Sequence, residues 1–290
     1  VLAGIGGVLL VAGLFALLRS DADEFVAVAT TSAAQSYRGT GSDRGALTLV
    51  VRDGGTVRRL PAFSVDGVHV LALAGTVPAT ATVDVAEGTD RHPARVVQLD
   101  RSGLIVVTCD DEVPRAPLGA AVLLRPGDPV TTGTPDGTRG TIEATGFDDG
   151  RPMLTVRTDA DAGQLLWTGG RLVGVLLDGT GTTRRAVPVE IAEGLTRATR
   201  AGVDAGPVLG VLTTAGTDQV VLGAVTPDSP AARAGLQPGD VVRRIDDVSV
   251  GSPWQFALEL RRHAPGATVT VTVERAGATL SVPVTLAARA

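Results

Sequence analysis

A chain of 290 residues with a net charge of −5, one cysteine and no basic run beyond isolated Arg pairs lacks the electrostatic footprint of a nucleic-acid binder. It cannot close a disulfide within itself, and without any Asn it offers no N-glycosylation acceptor. The length suits about two domains, and 37 Gly and 17 Pro with only 3% aromatics favour short strands and turns over long helices.

Residues 1–18, VLAGIGGVLLVAGLFALL, carry no charge. As a helix they would span roughly 27 Å, close to the ~30 Å hydrocarbon core of a bilayer. The expectation is a single N-terminal transmembrane helix over 1–19, with membrane contact through 1–18. A buried core helix and a signal-peptide apolar region are the alternatives. The second is weakened because Arg19 and SDADE stand where a small-residue cleavage site would be. The chain opens on Val1 and not on Met, so further residues are expected to precede it, and the orientation is inferred from their holding the basic cytoplasmic flank. Asp21, Asp23 and Glu24 then lie outside, which makes this a single-pass cell-membrane protein with extracytoplasmic domains.

From 20 to 118, FVAVATT, ALTLVVRD, VHVLALAG, ATVDVAE, ARVVQLD and LIVVTC read as short strands parted by Gly, Asp and Pro turns. From 119 to 200 the pattern resumes in AVLLRPGDPVTTG, TRGTIEATG, MLTVRTD, RLVGVLLDG and RRAVPVE, with a connecting helix over Ile191–Arg200. Even strand spacing with few helices predicts a mainly β protein with one or two antiparallel barrels. AGVDAGP, 201–207, reads as a linker, and a last unit fills 208–290.

In that unit SPAARAG predicts a short helix with Ser229 as N-cap, Pro230 at N1 and Gly235 as its end. LQPGD turns into the strand VVRRIDD. SPWQFALELRRHAPG follows as an amphipathic helix, with Phe256 and Leu260 on one face and Trp254 and Leu258 on another. The strands ATVTVTVER and TLSVPVTL complete it. The phrases VLGV, SPAARAGLQPGD, IDD and APG, in that order, resemble a PDZ domain of the HtrA-like serine proteases. The resemblance implies binding of a peptide C-terminus by strand addition. It places the carboxylate loop at Leu209, Gly210 and Val211, the peptide along Val211, Leu212 and Thr213, and the opposite wall at Trp254 and Leu258. The second pair has the plain alternative of core or surface packing.

The two-barrel region upstream resembles the trypsin-like part of the same family, loosely in its first half. The implied fold is a trypsin-like double β-barrel behind a membrane span, with a C-terminal PDZ domain. A serine protease needs a nucleophile, a base and an acid that orients the base. Matched onto the family's phrases, the His position falls on Gly75 after VLALA, the Asp position on Gly103 before LIVVTC, and the Ser position on Asp161 in DADAGQLLWTGGRLVG. The oxyanion-turn Gly becomes Asp159. The resemblance therefore implies a degenerate enzyme with no catalytic residue at those positions. The absence of Lys and Asn points to a GC-rich genome, such as an actinobacterium's.

Other candidates are weaker. Ser102 and Thr168 have no His nearby in sequence, and His69, His92 and His263 suit structural or exposed places. Cys109 suits a core slot, and His69 with His92 or Cys109 lacks close metal-ligand spacing. No metal or cofactor is expected. Three functions remain open: an adaptor or accessory subunit of a membrane complex that binds protein partners or peptide C-termini, an active HtrA-like protease with displaced catalytic residues, and a structural subunit with an unused PDZ groove.

Overall fold

The computed structural model describes residues 47–75, 77–100, 103–202, 206–214 and 219–288. The expected span at 1–18, the strand FVAVATT and Ser102 lie outside them. Among the described residues no helix is long and apolar enough to cross a membrane.

Six strands form the first closed barrel: β1 (Leu47–Asp53), β2 (Thr56–Ser64), β3 (His69–Leu73), β4 (Thr82–Glu87), β5 (Asp90–Leu99) and β6 (Leu104–Cys109), in the order β1-β2-β3-β6-β5-β4. The apolar runs of β3 and β6 follow from two buried faces. Val70 and Ala72, with Ile105 and Val107, fill the barrel. Leu71, Leu104 and Val106 point the other way, into a core shared with the second barrel. A strand alternates its faces with period 2, so a strand buried on both sides loses its polar alternation.

β2 is not among the runs read as strands; TVRRLPAFS carries two Arg and an internal Pro. The register explains its tolerance. Pro61 pairs with Thr48 of β1, while β3 reaches only Ala62, Phe63 and Ser64. Pro61 thus sits where its missing N–H faces no second partner.

The second barrel closes as β10-β11-β12-β9-β8-β7. Its strands are β7 (Pro129–Thr132), β8 (Thr138–Asp148), β9 (Arg151–Arg157), β10 (Leu165–Thr168), β11 (Arg171–Thr180) and β12 (Thr183–Pro188). The expected strand through AVLLRPGDPVTTG is only partly one. Ala121–Leu123 forms a 3-10 turn, and the strand waits until Pro129. Between them Gly127 adopts φ +97° and the Arg125 N–H donates to Asp128 Oδ2 at 2.8 Å, which fixes a turn. Helix α1 (Val189–Arg200) follows β12 directly, with Pro188 as its N-cap residue.

The last unit begins with β13 (Pro207–Val208), β14 (Val211–Thr213), β15 (Val220–Val225), helix α2 (Pro230–Arg233) and β16 (Val241–Ile245). It continues with β17 (Val248–Ser249), α3 (Pro253–Arg261), β18 (Thr268–Arg275), β19 (Ala278–Thr285) and β20 (Ala287–Ala288). β14-β15-β16-β18-β19 form its main sheet, β17 pairs with β16, and β13 pairs with β20. Both helices start with the same Ser-Pro device. Ser229 accepts from the Ala232 N–H at 3.1 Å and Ser252 from the Gln255 N–H at 3.2 Å, each with Pro at N1.

Candidate functional site

Gly75 follows β3 and Gly103 precedes β6, and these strands are neighbours. The Ala74 N–H donates to the Gly103 carbonyl at 3.2 Å, so the two glycines stand side by side. Their φ values are +57° and +84°, in the left-handed region that disfavours any residue with a Cβ. Asp161 lies exposed in the loop between β9 and β10. That loop is tied at both ends. The Ala160 N–H donates to Thr158 Oγ1 at 3.2 Å, Arg184 Nε donates to the Ala160 carbonyl at 3.0 Å, and the Gly163 N–H donates to the Leu176 carbonyl at 2.8 Å. Asp159 is exposed beside it. Leu73 and Ala160 both pack on the shared inter-barrel core. The strand ends and the loop therefore border the same interface, with no imidazole, hydroxyl or thiol at the three positions.

The other candidate side chains serve the scaffold. His69 Nδ1 lies 2.8 Å from Asp66 Oδ2. Burial alone would raise the Asp66 carboxyl. Hydrogen bonds from the His69 backbone and ring and from the Val68 N–H hold it below the usual carboxylate range. Ser64 Oγ donates to the His69 carbonyl, not to the ring. His92 sits 3.9 Å from Glu87 and 3.6 Å from Asp111. Burial pushes the Cys109 thiol up to about 11, helped by Asp110 and Asp111, which keeps it protonated and unreactive. Thr168 Oγ1 donates to the Pro129 carbonyl at 3.2 Å. Among the described residues no cluster of His, Cys, Asp or Glu could hold a metal ion.

Among the described residues β14 lies at the edge of its sheet. The Thr226 N–H donates to the Gly210 carbonyl and the Thr214 N–H to the Val221 carbonyl, each at 2.9 Å. Antiparallel pairs alternate between bonded and non-bonded. The Gly210 carbonyl and the backbone groups of Leu212 and Thr214 therefore face β15, and Val211 and Thr213 turn theirs away from it. The Leu209 carbonyl is already taken by the Ala231 N–H at 2.9 Å, whereas among the described residues neither the Leu209 nor the Gly210 N–H donates to a loop or turn carbonyl. Free N–H groups ahead of an open edge suit a carboxylate at the end of an added strand.

Gly210 is also demanded by the fold. Its φ is +83°, and a Cβ there would lie 2.2 Å from Ser229 Cβ, on the residue that caps α2. Gly210→Ala is therefore expected to destabilise the C-terminal unit by about 2–4 kcal/mol, read as a lowered urea midpoint. Loss of peptide binding in such a variant would report folding.

The structure corrects the other wall. Trp254 and Leu258 are 5% and 0% exposed and belong to the core shared by the two barrels, so they do not line an open groove. One helical turn apart, they form the face by which α3 docks on the barrels. Phe256 faces its own unit's core, and Leu260 flanks that core as Val211 does. The half-exposed stripe of α3 is Pro253, Ala257 and Leu260, spaced i, i+4 and i+7. Of these, sequence reasoning missed Pro253 and Ala257, which the Trp254/Leu258 spacing shifted by one residue would have found.

The docking seam is tight. A Cβ on Gly194 of α1 would lie 2.0 Å from the Arg261 carbonyl, so the two helices meet backbone to backbone. Arg262 Nε donates to Glu193 at 3.0 Å, and Arg197 donates to the Arg262 carbonyl. Gln255 Nε2 donates to the Val122 carbonyl at 3.3 Å, and the Val122 N–H donates to Glu190 Oε1 at 3.0 Å. Glu190 is 1% exposed. Its Oε2, like Trp254 Nε1, has no hydrogen-bond partner among the described residues. Burial raises the Glu190 carboxyl from 4.5 to about 7, with Glu193 adding to the rise and the Val122 N–H and Arg262 opposing it.

A PDZ domain model matches residues 207–286. The serine endoprotease DegS of Haemophilus influenzae is 28% identical over 149 residues, 45% of this chain and 44% of DegS. The zinc metalloprotease RasP of Oceanobacillus iheyensis is 31% identical over 77 residues, 27% of this chain and 18% of RasP. The chain thus spans less than half the length of both curated relatives. Among solved structures, the HtrA-type protease AlgW with a tripeptide superposes with a TM-score of 0.52 at 23% identity, covering 85% of this chain and 94% of that one. A second AlgW structure with a tripeptide gives 0.51, also at 23% identity and covering 85% and 95%. Two closed six-stranded barrels followed by a PDZ domain give this chain the fold of the HtrA-type proteases: a trypsin-type double β-barrel with a C-terminal PDZ domain.

Proposed function

We propose that this protein is a pseudoprotease: a membrane-anchored, extracytoplasmic adaptor or accessory subunit that holds partners by their C-terminal peptides and does not cleave them. The observation that carries this reading is the pair of adjacent glycines, Gly75 and Gly103, at the strand ends where the family resemblance places the base and its orienting acid. Neither has a side chain to accept or steer a proton, and Asp161, acceptor-only when ionised, would repel a developing oxyanion. Both glycines also hold conformations that a His or an Asp would strain. Restoring His at 75, Asp at 103 and Ser at 161 is therefore expected to return little activity. The binding half of the reading rests on the open edge of β14 and the free N–H groups of Leu209 and Gly210. Anchoring rests on the uncharged stretch 1–18.

One experiment tests both halves. A peptide with an apolar last residue and a free carboxylate is titrated against the purified chain by calorimetry, beside its C-terminal amide, and the recovered peptide is weighed by mass spectrometry. Charge-assisted hydrogen bonds are each worth roughly 1.5–3 kcal/mol, so amidation should weaken binding more than about tenfold. The peptide should come back intact. Cleavage that vanishes on replacing a Ser or Thr of this chain would establish a displaced active site. Equal binding of acid and amide, or no binding of either, would leave a structural subunit with an unused groove.

A further inference from the structure

Leu212 is 68% exposed, and among the described residues of the PDZ unit no other large hydrophobic side chain is so open. It occupies the middle of β14, whose far edge pairs with no strand among the described residues. Its neighbours Val211 and Thr213 are half-buried, and Val211 packs against the unit's own core. Leu212 therefore projects from the opposite, outer face. Its cross-strand partner is Ala224, and the register shift between Leu212 and Thr213 leaves Gly223 beside it. Both are exposed. A methyl group and a bare backbone cover little of the leucine, so this apolar spot lies open next to the edge where a strand would add.

An incoming strand has its register fixed at one end. Its carboxylate meets the Leu209 and Gly210 N–H groups at the start of β14, so it runs antiparallel to β14. Its last residue then pairs beside Val211 and its third-last beside Thr213, the two residues whose backbone groups face out. The residue between them lies opposite Leu212 in a non-hydrogen-bonded pair, the kind in which facing side chains come closest. Side chains of directly opposed residues share one face of the sheet. The penultimate side chain thus lands on Leu212, outside the groove and independent of the pocket that takes the last residue.

We propose that Leu212 is a specificity-determining residue, selecting an apolar side chain at the penultimate position of the bound C-terminal peptide. This rests on the reading of the PDZ unit as a receptor for free C-termini.

Three peptides that share an apolar last residue and a free carboxylate, and differ only in penultimate Leu, Ser or Asp, are titrated by calorimetry against the full chain and against Leu212→Arg. Cross-strand pairs are worth up to roughly 1 kcal/mol, so the native chain should prefer Leu over Asp by up to about fivefold, with Ser between. Leu212→Arg should reverse that order and favour Asp. The position is solvent-exposed, so an unchanged urea midpoint should accompany the reversal. Binding of the three peptides within 1.5-fold, or an order that survives Leu212→Arg, would overturn the role of Leu212 while leaving the receptor reading in place. If none of the free-acid peptides binds, the receptor reading falls and this inference falls with it.

Discussion

Glu190→Gln should stabilise the protein by about 3 kcal/mol at pH 8 and leave it almost unchanged at pH 4.5. Glu190 is buried at the seam between α1, the 3-10 turn and α3. Its folded-state pKa is raised from 4.5 to about 7, first by burial. The folded chain therefore holds a proton that the unfolded chain releases between those two values. The resulting stability is fully present below pH 4.5, declines as pH rises toward 7, and is gone above it. Moving the carboxyl from 4.5 to about 7 corresponds to roughly 3 kcal/mol. Gln mimics the neutral acid, since its carbonyl can accept the Val122 N–H as Oε1 does. Urea unfolding of both proteins from pH 4.5 to 8 checks this. The difference between them should open across that window, and parallel curves would show that Glu190 does not titrate there. The linkage gives the docking seam a pH sense, closed more firmly in acid.

Trp254→Ala should cost about 3–5 kcal/mol, and Leu258→Ala about 2–5, because each empties a fully packed slot between α3 and the barrels. Trp254→Phe should lose far less. It keeps most of the ring volume and removes an indole N–H that has no partner among the described residues, a group whose burial costs about 1–3 kcal/mol. Thermal or urea unfolding measures all three. Peptide affinity supplies the second readout. If these residues dock the helix and do not line the groove, Trp254→Phe should bind a free-acid peptide as the native chain does. A selective loss of affinity at native stability would return Trp254 to the groove. Leu258→Asp should unfold or undock the C-terminal unit, since a carboxylate would be forced into an apolar core without a partner.

The seam also explains why α3 looked ambiguous as a sequence. SPWQFALELRRHAPG is apolar at both Trp254/Leu258 and Phe256/Leu260 because the helix is buried on two sides, once against its own sheet and once against the barrels. Periodicity reveals two apolar faces and cannot say which neighbour each one meets. The family resemblance filled that gap with a peptide, where the folded chain supplies a domain contact.

Local chemistry alone determined much of this protein. The Ser-Pro caps before α2 and α3, the alternating runs that became β4 and β18, and the turns between them depend on neighbours in sequence, and they form where the sequence puts them. The order of the phrases VLGV, SPAARAGLQPGD and APG was enough to mark the PDZ unit. Elements whose form depends on distant partners were not legible. β2 exists because β1 pairs with it across Pro61 and β3 does not reach that residue. β10 is four residues with no alternation, a strand only because β7 and β11 flank it. The adjacency of Gly75 and Gly103, the clash that holds Gly210 to Gly, and the burial that raises the Glu190 carboxyl all arise between segments far apart in the chain. Hydrogen-bond registers and desolvation are properties of contacts, and only the tertiary structure decides which contacts are made.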